Sequence, residues 1–89
     1  MNKELKLKLI DGIFGQSDTN DIILSMIDKK IEFNELNSFR DLVKLNKKDV
    51  DLQNRIDELK KERQLFIEFI QLNKHQQFKI QSEINIQIL

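Results

Sequence analysis

The chain has 89 residues with no proline, no cysteine and two glycines, so it reads as one domain, 1–89, without a linker or a second core, and disulfides and thiolate metal sites are excluded. Fifteen lysines and arginines balance fifteen aspartates and glutamates, which argues against a dedicated nucleic-acid surface with its basic excess. A folded chain of this size hides only about 60–65% of its unfolded surface; with a single histidine and no cysteine to build a zinc site, oligomerisation is the stabilising device that remains.

Leu5, Leu7 and Leu9 alternate with Glu4, Lys6 and Lys8, the period of a half-buried strand. Asp11-Gly12 predicts a turn that ends it, and Ile13 and Phe14 carry an apolar patch across the connection. A helix is expected to start at Ser17, Asp18 or Thr19, all good N-caps, with Asp18 and Asp21 complementing the positive end of the dipole. Ile22, Ile23, Met26, Ile27, Ile31 and Phe33 give it a broad apolar stripe, wide enough to pack on a sheet, and carry it to about Asn37. Residues 38–49 read as a short helix or ordered elbow, with Phe39, Leu42, Val43 and Leu45 apolar and 46–49 polar.

Asp49 is the expected N-cap of the longest element, about Val50 to Asn73. Within it Leu52, Ile56, Leu59, Arg63, Phe66 and Ile70 recur in steps of four and three, a heptad seam over about three repeats. Arg63 interrupts that seam, which favours an intramolecular hairpin over a free coiled coil. Asp51 with Arg55 and Asp57 with Lys61 are spaced as i,i+4 pairs on the exposed side. Leu65, Phe66, Ile67, Phe69, Ile70 and Leu72 make the second half apolar over more than one stripe. Burying each such side chain is worth about 1.5–3 kcal/mol, so leaving four exposed would cancel most of a typical stability. This segment is therefore expected to touch the first helix, the sheet and a second subunit.

From Phe78 the pattern returns to period two: Phe78, Ile80, Ser82, Ile84, Ile86 and Ile88 on one side, Lys79, Gln81, Glu83, Asn85, Gln87 and Leu89 on the other. That predicts a second long strand. A helical hairpin returns the chain to its start, so the strands pair antiparallel. The expected fold is α+β, a two-layer β-α-α-β unit of antiparallel terminal strands packed on a long helical hairpin, with the sheet completed by dimerisation. Two strands alone are marginal, and the last strand, longer than the first, keeps an unpaired edge. A twofold dimer pairing last strand to last strand answers this, with the apolar end of the long helix as the competing interface. The candidate dimer or partner surface is Phe66, Phe69, Ile70, Ile84, Ile86 and Ile88.

The polar candidates have simpler explanations. His75 lacks partners at the spacing a metal site or general base requires, and reads as a cation past a helix C-terminus. Asp11, Asp18 and Asp21 lack the spacing of a calcium loop and read as turn and cap residues. Lys6, Lys8 and Lys79, with Gln81, point to the outer face of the sheet and form a candidate basic face, but Glu4 and Glu83 share that face and lysines commonly protect strand edges. Lys44, Lys47 and Lys48 make a second basic group at the hairpin tip, flanked by Asp41, Asp49 and Asp51. Phosphate loops, nucleotide fingerprints and Ser-His-Asp spacing are missing from the sequence, and the chain has neither tyrosine nor tryptophan.

The run Leu9-Ile10-Asp11-Gly12-Ile13-Phe14, then Ile23-Leu24 and Ile27 ahead of Lys30-Ile31-Glu32-Phe33, then Arg55-Ile56 and Leu59, and the closing Ile80, Ser82, Ile84, Ile86 alternation, resembles a group of small uncharacterised bacterial proteins. The resemblance spans nearly the whole chain through packing residues. Asn34 stands where that pattern would place a histidine, which removes one polar site. The resemblance implies a complete single domain and supplies no activity.

These readings converge on a non-enzymatic bacterial protein of the cytoplasm, free of cofactor and metal, that acts as a homodimeric protein-interaction module. The N-terminal residues lack the apolar run of a signal peptide, and no stretch reaches the roughly 18 apolar residues of a membrane span. Partners are a second copy and a further protein. The alternative is a nucleic-acid-binding protein using the lysine-bearing outer face of the sheet.

Overall fold

A computed structural model describes residues 3–46 and 49–89. Four elements follow in order: β1 (Glu4–Phe14), α1 (Gln16–Leu45), α2 (Val50–Leu72) and β2 (Phe78–Gln87). The two strands pair antiparallel in a two-stranded sheet, and the helices form an antiparallel hairpin between them. The fold is α+β with β-α-α-β order, as expected.

β1 is longer than its alternation suggests, because Asp11-Gly12 does not turn. Neither glycine has a positive φ. Gly12 lies opposite Ile80, and a Cβ there would stand 3.2 Å from the Phe14 ring. The glycine therefore serves close approach of an aromatic ring rather than chain reversal. The ladder pairs Glu4 with Gln87 at one end and Phe14 with Phe78 at the other, with a shift between Lys8 and Ile10 that leaves Leu9 without a partner. This is a β-bulge, and one extra residue flips the phase of a strand. Leu5 and Leu7, opposite Ile86 and Ile84, thereby share a face with Ile10, Gly12 and Phe14, opposite Ser82, Ile80 and Phe78. Because β1 is paired along its length, β2 is not left with the long unpaired overhang expected of it. Each strand still has one free edge.

α1 is 30 residues long, about 45 Å, and absorbs most of the stretch read as an elbow: it runs unbroken through Asn37 to Leu45. Asn46 closes it in the left-handed region at φ 49°, a conformation asparagine tolerates well. The N-cap is Gly15, extended and without a side-chain cap bond, not Ser17, Asp18 or Thr19. Thr19 instead donates its N–H to Gly15 O at 3.0 Å. Asp18 lies in the first turn, where its charge complements the dipole.

α2 begins as predicted: Asp49 Oδ1 accepts from the Leu52 N–H at 3.0 Å. Removing this cap with Asp49→Ala is expected to cost about 1 kcal/mol, a fall in Tm of roughly 4–8 °C for a domain of this size. Thermal melts at fixed protein concentration test it, and an unchanged Tm would mean the cap is idle.

The heptad seam is the buried face of α2. Ile56, Leu59 and Ile70 are buried, and Leu52, Arg63 and Phe66 are half-buried. Arg63 bridges the hairpin, its Nε donating to Asp28 Oδ1 at 2.7 Å and its Nη2 to Oδ2 at 3.5 Å. That hydrogen bond, then the Asp28 charge, holds the guanidinium pKa above its ordinary value. Lys60 reaches Glu35 at 3.5 Å one level along. The expected pairs of Asp51 with Arg55 and Asp57 with Lys61 are replaced by neighbours: Arg55 binds Glu58 at 3.0 Å, and Asp57 accepts from Gln53 at 3.3 Å.

The hairpin and ribbon make a thin body, 48 × 40 × 15 Å, with a Cα radius of gyration of 16.5 Å. A compact chain of this length would have about 12 Å. Ile56, Leu59 and Ile70 are the buried hydrophobic residues among those described. The sheet meets the helices only at its base, where Phe78 packs edge-to-face on Phe69 with centroids 5.9 Å apart. Beyond Ser82 every residue of β2 is exposed.

Candidate functional site

The register sorts the ribbon into two faces, since cross-strand partners point the same way. The inner face carries Phe14, Gly12, Ile10, Leu7 and Leu5 on β1 and Phe78, Ile80, Ser82, Ile84 and Ile86 on β2. Its base is half-buried. Its tip is bare: Leu5, Leu7, Ile84, Ile86 and Ile88 are all exposed, Ile84 at 39% and Ile88 at 70%. Alternation in the sequence announced an apolar face but could not say that the helices cover only half of it.

The same base forms one wall of an open groove of about 460 Å³, lined by Thr19 and Ile23 of α1, Phe66 and Phe69 of α2, and Phe78 and Ile80 of β2. Thr19 is a residue the sequence reading assigned only to capping. It is 3% exposed, and its Oγ1 has no hydrogen-bond partner. A hydroxyl sealed from water without a partner costs about 1–3 kcal/mol. No signal in the sequence marks it, because its burial follows from where the ribbon meets the hairpin.

The expected surface residues therefore divide. Phe66 and Phe69 line the groove, and Ile84, Ile86 and Ile88 form the bare tip. Ile70 does not belong with them: at 3% exposed it is core, because it ends the buried seam of α2. A further exposed stripe, absent from the expected set, lies on α1, where Met26, Phe33, Leu36 and Phe39 face outward. Lys30 Nζ stands 5.2 Å from the centre of the Phe33 ring. On this helix the buried residues are polar, Thr19 and Asn34, so its apolar stripe is only partly spent on the hairpin. Asn34, at the position where a histidine was expected, sits inside the hairpin.

The outer face of the ribbon carries Lys6, Lys8 and Lys79 together, as expected, but with Glu4, Asp11 and Glu83 beside them. Lys8 is paired with Asp11 at 3.6 Å and stands opposite Glu83. Three positive and three negative side chains leave the face without net charge. Of the second basic group, Lys47 and Lys48 lie outside the described residues, and Lys44 is in the last turn of α1.

His75 occupies the turn after α2 at φ 63°, and its N–H donates to Gln16 Oε1 at 3.2 Å. Its role in the fold is this junction between the start of α1 and the end of α2. Among the described residues no three His, Cys, Asp or Glu side chains cluster as metal ligands, and no helix is long and apolar enough to cross a membrane. Comparison with protein-family models, curated proteins and solved structures gives no significant match.

Proposed function

We propose that the chain is a non-enzymatic, homodimeric protein-interaction module of the bacterial cytoplasm. One observation carries this reading: the accessible surface is 7457 Å², whereas a folded monomer of 10.7 kDa is expected to expose about 5,500 Å². The excess of nearly 2,000 Å² per chain puts the total burial available to a dimer within the roughly 2,000–5,000 Å² of obligate interfaces. Exposed large apolar side chains lie in the ribbon tip, the groove and the α1 stripe. The three buried hydrophobic side chains among the described residues supply too little burial to hold the chain folded by itself.

The alternative, nucleic-acid binding through the outer face, draws less support. Phosphate binding rests on a cationic excess that releases counterions, and lysines and carboxylates are matched there. The remaining protein partner would meet a surface that dimerisation leaves open, and the α1 stripe of Phe33 and Leu36 is of the kind that takes an amphipathic helix.

Light scattering across a dilution series tests the reading. A mass near twice 10.7 kDa, held down to low micromolar concentration, is the expected result. A mass of one chain throughout would overturn it.

A further inference from the structure

Resting on the dimer just proposed, we infer that the two copies join through the free edge of β2, in antiparallel register centred on Ser82, so that each ribbon tip fills the groove of the other copy. The choice of edge follows from the strands. β1 carries the bulge at Leu9 and Ile10, and a bulge twists an edge away from further pairing. β2 runs from Phe78 to Gln87 with neither bulge nor proline.

The hydrogen-bonding phase is also set. Ile88 donates its N–H to Lys3 O at 2.8 Å, so the even residues of β2 face β1 and the odd residues, 79 to 87, present N–H and C=O groups to the open edge. A twofold axis through a non-hydrogen-bonded pair of even residues then lets Gln81 and Glu83 exchange bonds with Glu83 and Gln81 of the second copy.

Registers centred on neighbouring residues, odd or even, also keep the apolar face continuous, and side chains choose among them. Centring on Glu83 sets two carboxylates directly opposite, which is unfavourable. Centring on Ile84 leaves Phe78 beyond the end of the second copy's strand. Centring on Ser82 sets Ile84 opposite Ile80 and Ile86 opposite Phe78, with Lys79 opposite Asn85. The inner-face order Phe78, Ile80, Ser82, Ile84, Ile86 is itself symmetric in bulk about Ser82, the small residue standing where two side chains meet on the axis.

A twofold perpendicular to a sheet preserves its faces, so both hairpins stand on the same side and each bare tip comes beside the covered base of the other ribbon. There lies the groove of about 460 Å³ with Phe66 and Phe69 in its wall. Its wall, Phe78 and Ile80, is the segment that this register pairs with Ile86 and Ile84. The exposed tip and the open groove are two halves of one contact.

The absence of cysteine allows a direct test. Across the axis, non-hydrogen-bonded partners have Cα atoms about 4.5 Å apart, within the range a disulfide spans, whereas Gln87 of the two copies would be about 34 Å apart. Ser82→Cys is expected to form a disulfide-linked dimer under mild oxidation at least about tenfold faster than Gln87→Cys. Mixing Ile80→Cys with Ile84→Cys chains should give a linked heterodimer that neither chain gives alone. If light scattering finds a dimer but Ser82→Cys links no faster than Gln87→Cys, this geometry is wrong and the dimer stands on another surface. If the wild-type chain is monomeric, the dimer proposal itself fails.

Discussion

Replacing Ile56 by alanine is expected to unfold much of the protein under conditions where the native chain is stable. Ile56 is 2% exposed, the most deeply buried side chain described, at the third of the hairpin seam nearest the turn. Truncating a fully buried isoleucine removes its transfer free energy and leaves a void, together about 2–5 kcal/mol. In a larger domain neighbouring core residues relax into such a void. Here Leu59 and Ile70 are the other buried hydrophobic side chains among the described residues, and Ile70 lies almost four turns away along α2, so relaxation has little to draw on and the upper half of that range is the expectation. Against a total of about 5–15 kcal/mol, the urea midpoint should fall by about a quarter or more with an unchanged slope. Val50→Ala, at a residue 61% exposed, should stay within about 0.5 kcal/mol. Unfolding is coupled to dissociation in a dimer, so both are measured at one protein concentration. A loss below about 1 kcal/mol for Ile56→Ala would mean that the hairpin seam is not where stability resides.

That seam was legible in the sequence because a helix pair imposes its own period: steps of four and three mark one face whatever surrounds it. The exception was readable as a sign of a hairpin within one chain, and Arg63 bonds Asp28 across that hairpin. β2 was legible for the same reason. Of β1 only the first half, to Leu9, was legible, because a bulge changes the phase of the alternation in mid-strand. Its trace is the doublet Leu9-Ile10, where two apolar residues adjoin, followed by apolar residues at even positions. Read with a fixed period, the doublet ends a strand; read with one extra residue, it continues one. The end of α1 was obscured by Asn37 and Ser38, both weak helix formers, which the helix nevertheless carries through to Leu45. The candidate site was the least legible part. Which half of an apolar face is covered depends on where the ribbon leaves the helices, a property of the assembled elements that no local pattern encodes, and the same assembly seals the Thr19 hydroxyl.

The strongest expected effect on assembly belongs to the bare tip of the ribbon. Within one chain Ile84 is 39% exposed and Ile86 50% exposed, so an aspartate at either position costs a lone chain less than it would in a sealed core. In a twofold dimer every substitution acts twice. Losing the burial of two large aliphatic side chains is worth about 3–6 kcal/mol, or roughly 10²–10⁴ in Kd, before the desolvation of two carboxylates is added. Ile84→Asp should therefore abolish the dimer at concentrations where the native protein is fully paired, as measured by sedimentation equilibrium. Asn85→Asp places the same charge one residue away on the outer face, beside the lysines, and should leave the dimer intact. The pair separates a packing effect from a charge effect, since the two variants differ in which face receives the carboxylate. Because a chain with so small a core has little stability of its own, the dissociated Ile84→Asp protein is expected to lose helical circular dichroism as well. A variant that remains dimeric would remove the ribbon tip from the interface, and the exposed stripe Leu65, Phe69 and Leu72 on α2 would then be the surface on which the two copies meet.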